Sequence, residues 1–399
     1  MSELFNRPAR PIRVGVYIFF PAGGIGRYTY EWLRVLGRMP EVEAEIICTP
    51  DFQWKGAEEY ATWDGLRSIS HEVPLLRRIR FVKGQFVNPL RSLRHVEEAN
   101  LDIIHIANIN HFSFPFWRKA LEKSHARVTV AVHDVLRQNA ILNRMWEDRQ
   151  LRAFYRFADA LFVHSGYQAS ELIDFAGVAP SRIHEVPHGP YPHGAPTSDR
   201  ETLRGRLGLP ANHQVALFFG QIRDEKNLDA FIRAMALARA DLHLLVAGSV
   251  GARHRGVKHY RQVAEQAGVA DRVTFLDRFI PDEEVPDLFT ASDWVTLPYR
   301  NTFTSQSGVL NVAAHYERPV LVSSSPVLHE TVQRCDIGVA CAGDSVPALA
   351  EGIERIAQQV RRRHAYAFDE YREAYSWEEN ARRTLAVYRQ LLGREEVSS

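Results

Sequence analysis

Arg223 and Lys226 stand close together in FFGQIRDEKN (218–227), directly after the apolar run VALFF (215–219). The run predicts a short buried strand, Gly220 opens a turn, and a helix is expected over 228–237. Cations at the carboxyl end of a buried strand, beside a helix N-terminus, can converge with backbone N–H groups on one anion. Asp224 and Glu225 allow another reading, a solvated βα loop whose charges cancel. His133 and Asp134 follow the apolar VTVAV (128–132) at an equivalent strand end. There the imidazole is either a ligand contact or a hydrogen-bonded structural histidine. Asp134 either orients it or caps the next helix. GGIG (23–26) joins the first strand to the first helix, where glycine lets a backbone approach a ligand closely. It is not G-x-G-x-x-G, so the dinucleotide fingerprint is absent, and a tight βα turn explains it equally.

Strands alternating with helices must position these groups. IRVGVYIFF (12–20) reads as a central parallel strand, followed by AEIIC (44–48), IIHI (103–106), VTVAV, ALFV (160–163) and IHEV (183–186). After the Pro/Gly-rich HGPYPHGAPTSD (188–199) the alternation restarts. VALFF, LHLLVA (242–247), VTFL (273–276), WVTL (294–297), PVLVS (319–323) and IGVA (337–340) are separated by helix-length spacers. Such alternation predicts an α/β chain with two Rossmann-like, doubly wound parallel-sheet domains, ligands lying in the cleft between them at the strands' carboxyl ends. The expected boundaries are 1–192, 193–375 and a terminal helix, 376–399. Trp377, Ala381, Leu385, Tyr388 and Leu392 share one face of that helix, and the face is expected to pack back on the first domain.

Composition narrows the class. The 399 residues suit two domains. Lys plus Arg number 49 against 48 Asp plus Glu, a net charge of +1, so overall charge gives no reason to expect a nucleic-acid partner. Cys48, Cys335 and Cys341 are too few and scattered for a disulfide framework or zinc site. MSELFNRPARP lacks a signal-peptide core and no run approaches membrane-span length, so a soluble, cytoplasmic protein is expected.

The order of motifs resembles the GT-B glycosyltransferases of the large nucleotide-sugar-dependent family 4. The likeness runs through GGIGRY (23–28), AVHDV (131–135), FADALFVHSGYQASEL (157–172), VPHG (186–189), FFGQIRDEKN, the run 273–299 and SWEENARRTLAVYRQLL (376–392). It implies an acceptor-binding first domain, a second domain holding a nucleotide-diphosphate sugar as donor substrate, and retention at the anomeric carbon. His133 matches the family's active-site histidine. Gly23 and Gly24 fall on a loop that lies against donor phosphates in similar enzymes. Lys226 matches the family's phosphate-binding lysine. The family's arginine position is Gln221 here, and Arg223 is assigned as the substitute because a guanidinium has the reach. Gly220, Arg278 and Phe279 join the donor site by the same likeness. No D-x-D is present, so no metal and no cofactor are expected.

The departure lies in TFTSQSGVLNVAAHYERPVLVSS (302–324). Aligned on Pro319, the two carboxylates that normally bind the sugar and ribose fall at Thr304 and Val312. Thr304, Ser305, Gln306, Ser307 and Gly308 are expected to contact the sugar through hydroxyls, amide and N–H groups, although a simple helix cap would look the same. Two functions therefore stand open, an active glycosyltransferase and a decayed GT-B protein that binds a glycan or a partner. An epimerase of similar architecture lacks the expected acid/base carboxylates. The stretch 74–95 carries Arg77, Arg78, Arg80, Lys83, Arg91 and Arg94 among apolar residues with no acid. It suits an anionic membrane surface or a lipid-linked acceptor, and hence a peripheral place at the inner face of a membrane. A solvated basic face or a mobile loop is the competing reading.

Overall fold

The computed structural model describes residues 10–20, 22–136, 143–191, 193–251 and 254–394. The chain divides into two compact units, Met1–His188 with Ser376–Ser399, and Gly189–Tyr375. The first unit holds β1 (Ile12–Tyr17), β2 (Val42–Ile47), β3 (Ala61–Trp63), β4 (Ile103–Ile106), β5 (Arg127–Ala131), β6 (Ala160–Val163) and β7 (Ile183–Glu185). They form one sheet ordered β3-β2-β1-β4-β5-β6-β7, parallel throughout. The second unit holds β8 (Gln214–Phe219), β9 (Leu242–Ala247), β10 (Val273–Leu276), β11 (Trp294–Leu297), β12 (Val320–Val322) and β13 (Gly338–Ala340). Their order is β10-β9-β8-β11-β12-β13, again parallel. Both sheets are therefore Rossmann-like and doubly wound. Each reverses winding direction once, between β1 and β4 in the first and between β8 and β11 in the second, and such crossings open a crevice at the strands' carboxyl ends.

Side-chain alternation accounts for the layers of the second unit. Val215 and Leu217 of β8 enter a core with Val295, Leu297, Val320 and Val322. Ala216 and Phe218 enter another with Leu244, Val246, Trp294 and Leu321. Successive residues thus feed opposite faces, and helices cover both, which is why these strands read as unbroken apolar runs. Every apolar run singled out in the sequence is a strand, to within two or three residues at its ends.

Two elements differ from the reading or add to it. β3 is a three-residue edge strand paired only with β2, and Ala61-Thr62-Trp63 is too short and polar to signal itself. The basic stretch is a helix, Pro74–Glu98, starting with proline in its first turn and containing Pro89. Proline suits a first helical turn because its missing N–H would have no partner there. The last helix, Trp377–Leu391, buries Trp377, Ala381, Leu385 and Tyr388 within the first unit. Tyr388 Oη lies 2.8 Å from His105 Nδ1, and Asn380 Nδ2 donates to Tyr28 Oη at 2.9 Å. No helix among the described residues is long and apolar enough to cross a membrane.

Candidate active site

The β8–helix loop is built around glycines in close approach. Gly220 has φ +89°, a conformation that side chains resist. Gly248, with φ +150°, passes so near that an added Cβ would sit 2.0 Å from the Gly220 carbonyl oxygen. Beyond β8 the backbone stays tied to the β9 exit, with Ile222 N donating to Ser249 O at 2.9 Å. A short 3-10 turn, Asp224–Lys226, follows, and left-handed Asn227 at φ 56° starts the helix Leu228–Leu237. This turn swings Lys226 inward.

Lys226 is buried, only 6% exposed, with its ammonium 5.2 Å from the Tyr299 ring centre and 5.8 Å from that of Phe218. Among the described residues it makes no hydrogen bond or ion pair. Desolvation pushes its pKa down to about 7, aided by the Arg223 guanidinium and opposed by Glu225. The neutralised-loop reading holds only in part. Arg223 Nε lies 3.2 Å from Glu225, but Asp224 is engaged by Arg255 Nε at 3.0 Å. A buried ammonium without a counterion calls for an anion.

Above it is a cavity of about 560 Å³ in the second unit, at the carboxyl ends of β8 and β11. Gly220, Arg223, Lys226, Phe279, Gln306, Ser307 and Gly308 line it, as do Tyr191, His193, Ser249, Asp282 and Phe303. The helix Gly308–His315 opens on this wall, so its first N–H groups add to the positive field. Gly308 also lets Tyr191 close in, since a Cβ there would lie 2.9 Å from the ring. Phe279 is 77% exposed at the rim, a flat face available for stacking.

Other residues from the sequence reading lie elsewhere. Arg278 is bound to Glu284, Nη1 to Oε1 at 2.9 Å, and does not line the cavity. Neither Thr304 nor Ser305 lines it, whereas Val312, at the second missing-carboxylate position, does. Asp282 supplies the carboxylate of this lining. It escaped the sequence reading although it closely follows β10, an exit on the same side as β8.

His133, Gly23 and Gly24 belong to the first unit. His133 sits edge-on to Tyr28, ring centres 4.7 Å apart, and 5.4 Å from the His164 ring. Burial, with His133 and His188 nearby, holds His164 well below the ordinary histidine range. Gly23 has φ +90°, and an added Cβ at Gly23 or Gly24 would meet nothing within 4 Å among the described residues. The glycine at 23 is thus demanded by backbone conformation, and the space beside it is open. Among the described residues no three His, Cys, Asp or Glu side chains cluster as a metal-binding group would.

Comparison with known proteins fits this architecture. A family model described as Glycosyltransferase Family 4 matches residues 22–190, and one described as Glycosyl transferases group 1 matches 213–359. The chain is 30% identical over 244 residues to D-inositol 3-phosphate glycosyltransferase 1 of Catenulispora acidiphila, covering 58% of this chain and 57% of that protein. It spans about half the length of the curated relatives it matches. Sucrose-phosphate synthase from Thermosynechococcus elongatus superposes with a TM-score of 0.70 at 18% identity, over 96% of this chain and 100% of that one. HepE from Anabaena, solved in complex with UDP-glucose, gives a TM-score of 0.69 at 16% identity, over 94% and 100%. By the paired family matches and the two Rossmann-like sheets, the chain belongs to the GT-B glycosyltransferases of the family 4 type.

Proposed function

We propose that the chain transfers a glycosyl group from a nucleoside-diphosphate sugar to a hydroxyl of a glycan or lipid-linked acceptor, with retention and without a metal ion. The observation that carries this reading is Lys226, a desolvated ammonium that forms no ion pair among the described residues, in the wall of a nucleotide-sized cavity. When the anomeric C–O bond breaks, its electron pair passes to the leaving β-phosphate oxygen. Negative charge grows there, so Lys226, Arg223 and the N-terminus of Gly308–His315 stabilise the transition state more than the bound donor. The second unit is the donor domain in this reading, and the first, with His133, the acceptor domain. HepE's complex with UDP-glucose supports a nucleoside-diphosphate hexose as the donor class. Retention rests on the family likeness.

The helix Pro74–Glu98 supports a lipid-linked acceptor. Every residue from Glu72 to Arg80 is exposed, so Leu75, Leu76 and Ile79 face water beside Arg77, Arg78 and Arg80. A projecting apolar and basic turn fits an anionic membrane surface, which would place the protein at the cytoplasmic face of a membrane.

A second reading, a binding module that has lost catalysis, is favoured by Thr304 and Val312 standing where the family places carboxylates. Thermal shift against a panel of nucleoside diphosphates, followed by donor turnover in excess chelator, separates the two. Selective stabilisation with turnover supports the transferase. Stabilisation without turnover, in chelator or with added Mg²⁺, supports the module. Turnover that requires the added metal overturns the metal-free mechanism alone.

A further inference from the structure

The first unit contains a second, smaller cavity of about 160 Å³ that the donor reading does not use. It lies at the carboxyl ends of β1 and β4, the winding reversal of the first sheet, where doubly wound folds bind ligands. Its volume is on the order of five waters, enough for one sugar-sized ring.

Its walls have a specific chemistry. Phe19, Phe20 and Phe81 form an aromatic side, with ring centres 5.2 Å apart for Phe19–Phe20 and 5.7 Å for Phe19–Phe81. Polar groups complete the lining. Asn108 is 4% exposed, and its Oδ1 accepts from Phe19 N at 2.9 Å, which fixes the amide's orientation. Its Nδ2 is buried with no hydrogen-bond partner among the described residues. A buried amide donor left unsatisfied costs free energy and is rare in native structures. Glu147 and His111 also line the cavity, Oε2 and Nε2 being 3.4 Å apart, both side chains buried. Among the described residues the lining contains no Lys or Arg.

An acceptor-rich ring satisfies all three features. Hydroxyl oxygens meet the Asn108 donor, hydroxyl protons meet the Glu147 carboxylate, and the ring's C–H edges rest on aromatic faces, whose quadrupole is negative. A phosphorylated ring is disfavoured, because its charge would enter beside Glu147 with no lysine or arginine among the described lining residues to offset it. We propose that this pocket binds a neutral six-membered polyol ring, hexose or cyclitol, as the recognition element of the acceptor. The assignment to the acceptor rests on the transferase reading; the binding site itself does not.

The test is direct binding to the full chain without nucleotide, by saturation-transfer NMR and calorimetry. The probes are methyl glucosides, myo-inositol and an inositol monophosphate. Binding of a neutral ring, with the monophosphate at least tenfold weaker, supports the proposal, and the two neutral series tell hexose from cyclitol. Asn108→Asp keeps the acceptor to Phe19 N and removes the amide donor, so it should weaken ring binding about tenfold. Phe81→Ala, on the helix wall, should weaken it independently. Undiminished binding in both variants, each with native unfolding behaviour, overturns the site. So does failure of every neutral ring to bind the wild type at tens of millimolar, or preference for the monophosphate. Nucleoside-diphosphate binding measured in the same samples reports on the second unit. If it is absent while rings bind, the transferase reading fails and the pocket stands.

Discussion

The two units share a strand order, apart from the added β7 at the edge of the first sheet, and differ in what they place at the crossing. After β8 the chain delivers Arg223 and buried Lys226, with a helix N-terminus completing a positive wall. After β1 and β4 it delivers phenylalanines, Asn108 and the His111–Glu147 pair, with no lysine or arginine among the described lining residues. One crevice suits a diphosphate and the other an uncharged hydroxylated ring. The scaffold supplies only position, and the loops supply ligand chemistry.

The sharpest way to break the contrast is to remove the cation. Lys226→Ala should raise the transfer barrier by about 2–4 kcal/mol, roughly 30- to 1000-fold in turnover. Lys226→Met, which fills the same space, should weaken diphosphate binding without lowering thermal stability, because the native ammonium is buried with no ion pair among the described residues. Unchanged kinetics in folded Lys226→Ala would remove the anion-site assignment and leave the two crossings chemically alike.

The asymmetry was only half legible in the sequence. Strands were legible because buried parallel strands are apolar on both faces, as Val215 to Phe218 show. Lys226 was legible because its loop follows such a strand directly. The family's carboxylate positions were legible as losses, but Asp282, which lines the cavity, could not be tied to it without the fold. The first unit's pocket was invisible for a similar reason. Asn108 and His111 lie in a polar stretch that resembles any loop, and Glu147 reaches them from a helix 36 positions later. The helix Pro74–Glu98 hid behind its charge, since a basic run with an internal proline signals a surface segment as readily as a helix.

That helix offers a second test, because its outward face belongs to neither crevice. Arg77, Arg78 and Arg80 replaced together by Ser should weaken binding to anionic vesicles by about 1 kcal/mol per cation. Nucleoside-diphosphate affinity should not change. Co-sedimentation at low ionic strength, repeated at high salt, measures this. Wild-type protein that ignores anionic vesicles would end the membrane assignment and favour a soluble acceptor, leaving both crevices as they are.

The smallest effect, and the one most specific to the positive crevice, is its pH dependence. Lys226 titrates near 7 in the folded protein and near its ordinary 10.5 when unfolded. Between those values the unfolded chain holds the proton that the folded chain has released. Stability from this group therefore rises with pH across that window and is least below it, where the charge must be buried. Donor binding runs the opposite way. A bound diphosphate favours the ammonium, so binding takes up a proton once the free site has lost it. Affinity should be flat below pH 7, then fall toward tenfold per unit above it. Calorimetry in buffers of different ionisation enthalpy should show close to one proton taken up at pH 8.5 and much less at pH 6. Lys226→Met should remove both the uptake and the stability slope. Ring binding in the first unit's pocket should show no such uptake between pH 7.5 and 9, because no lysine is among its described lining residues. A shared pH profile for the two ligands would mean that the crevices are not chemically distinct.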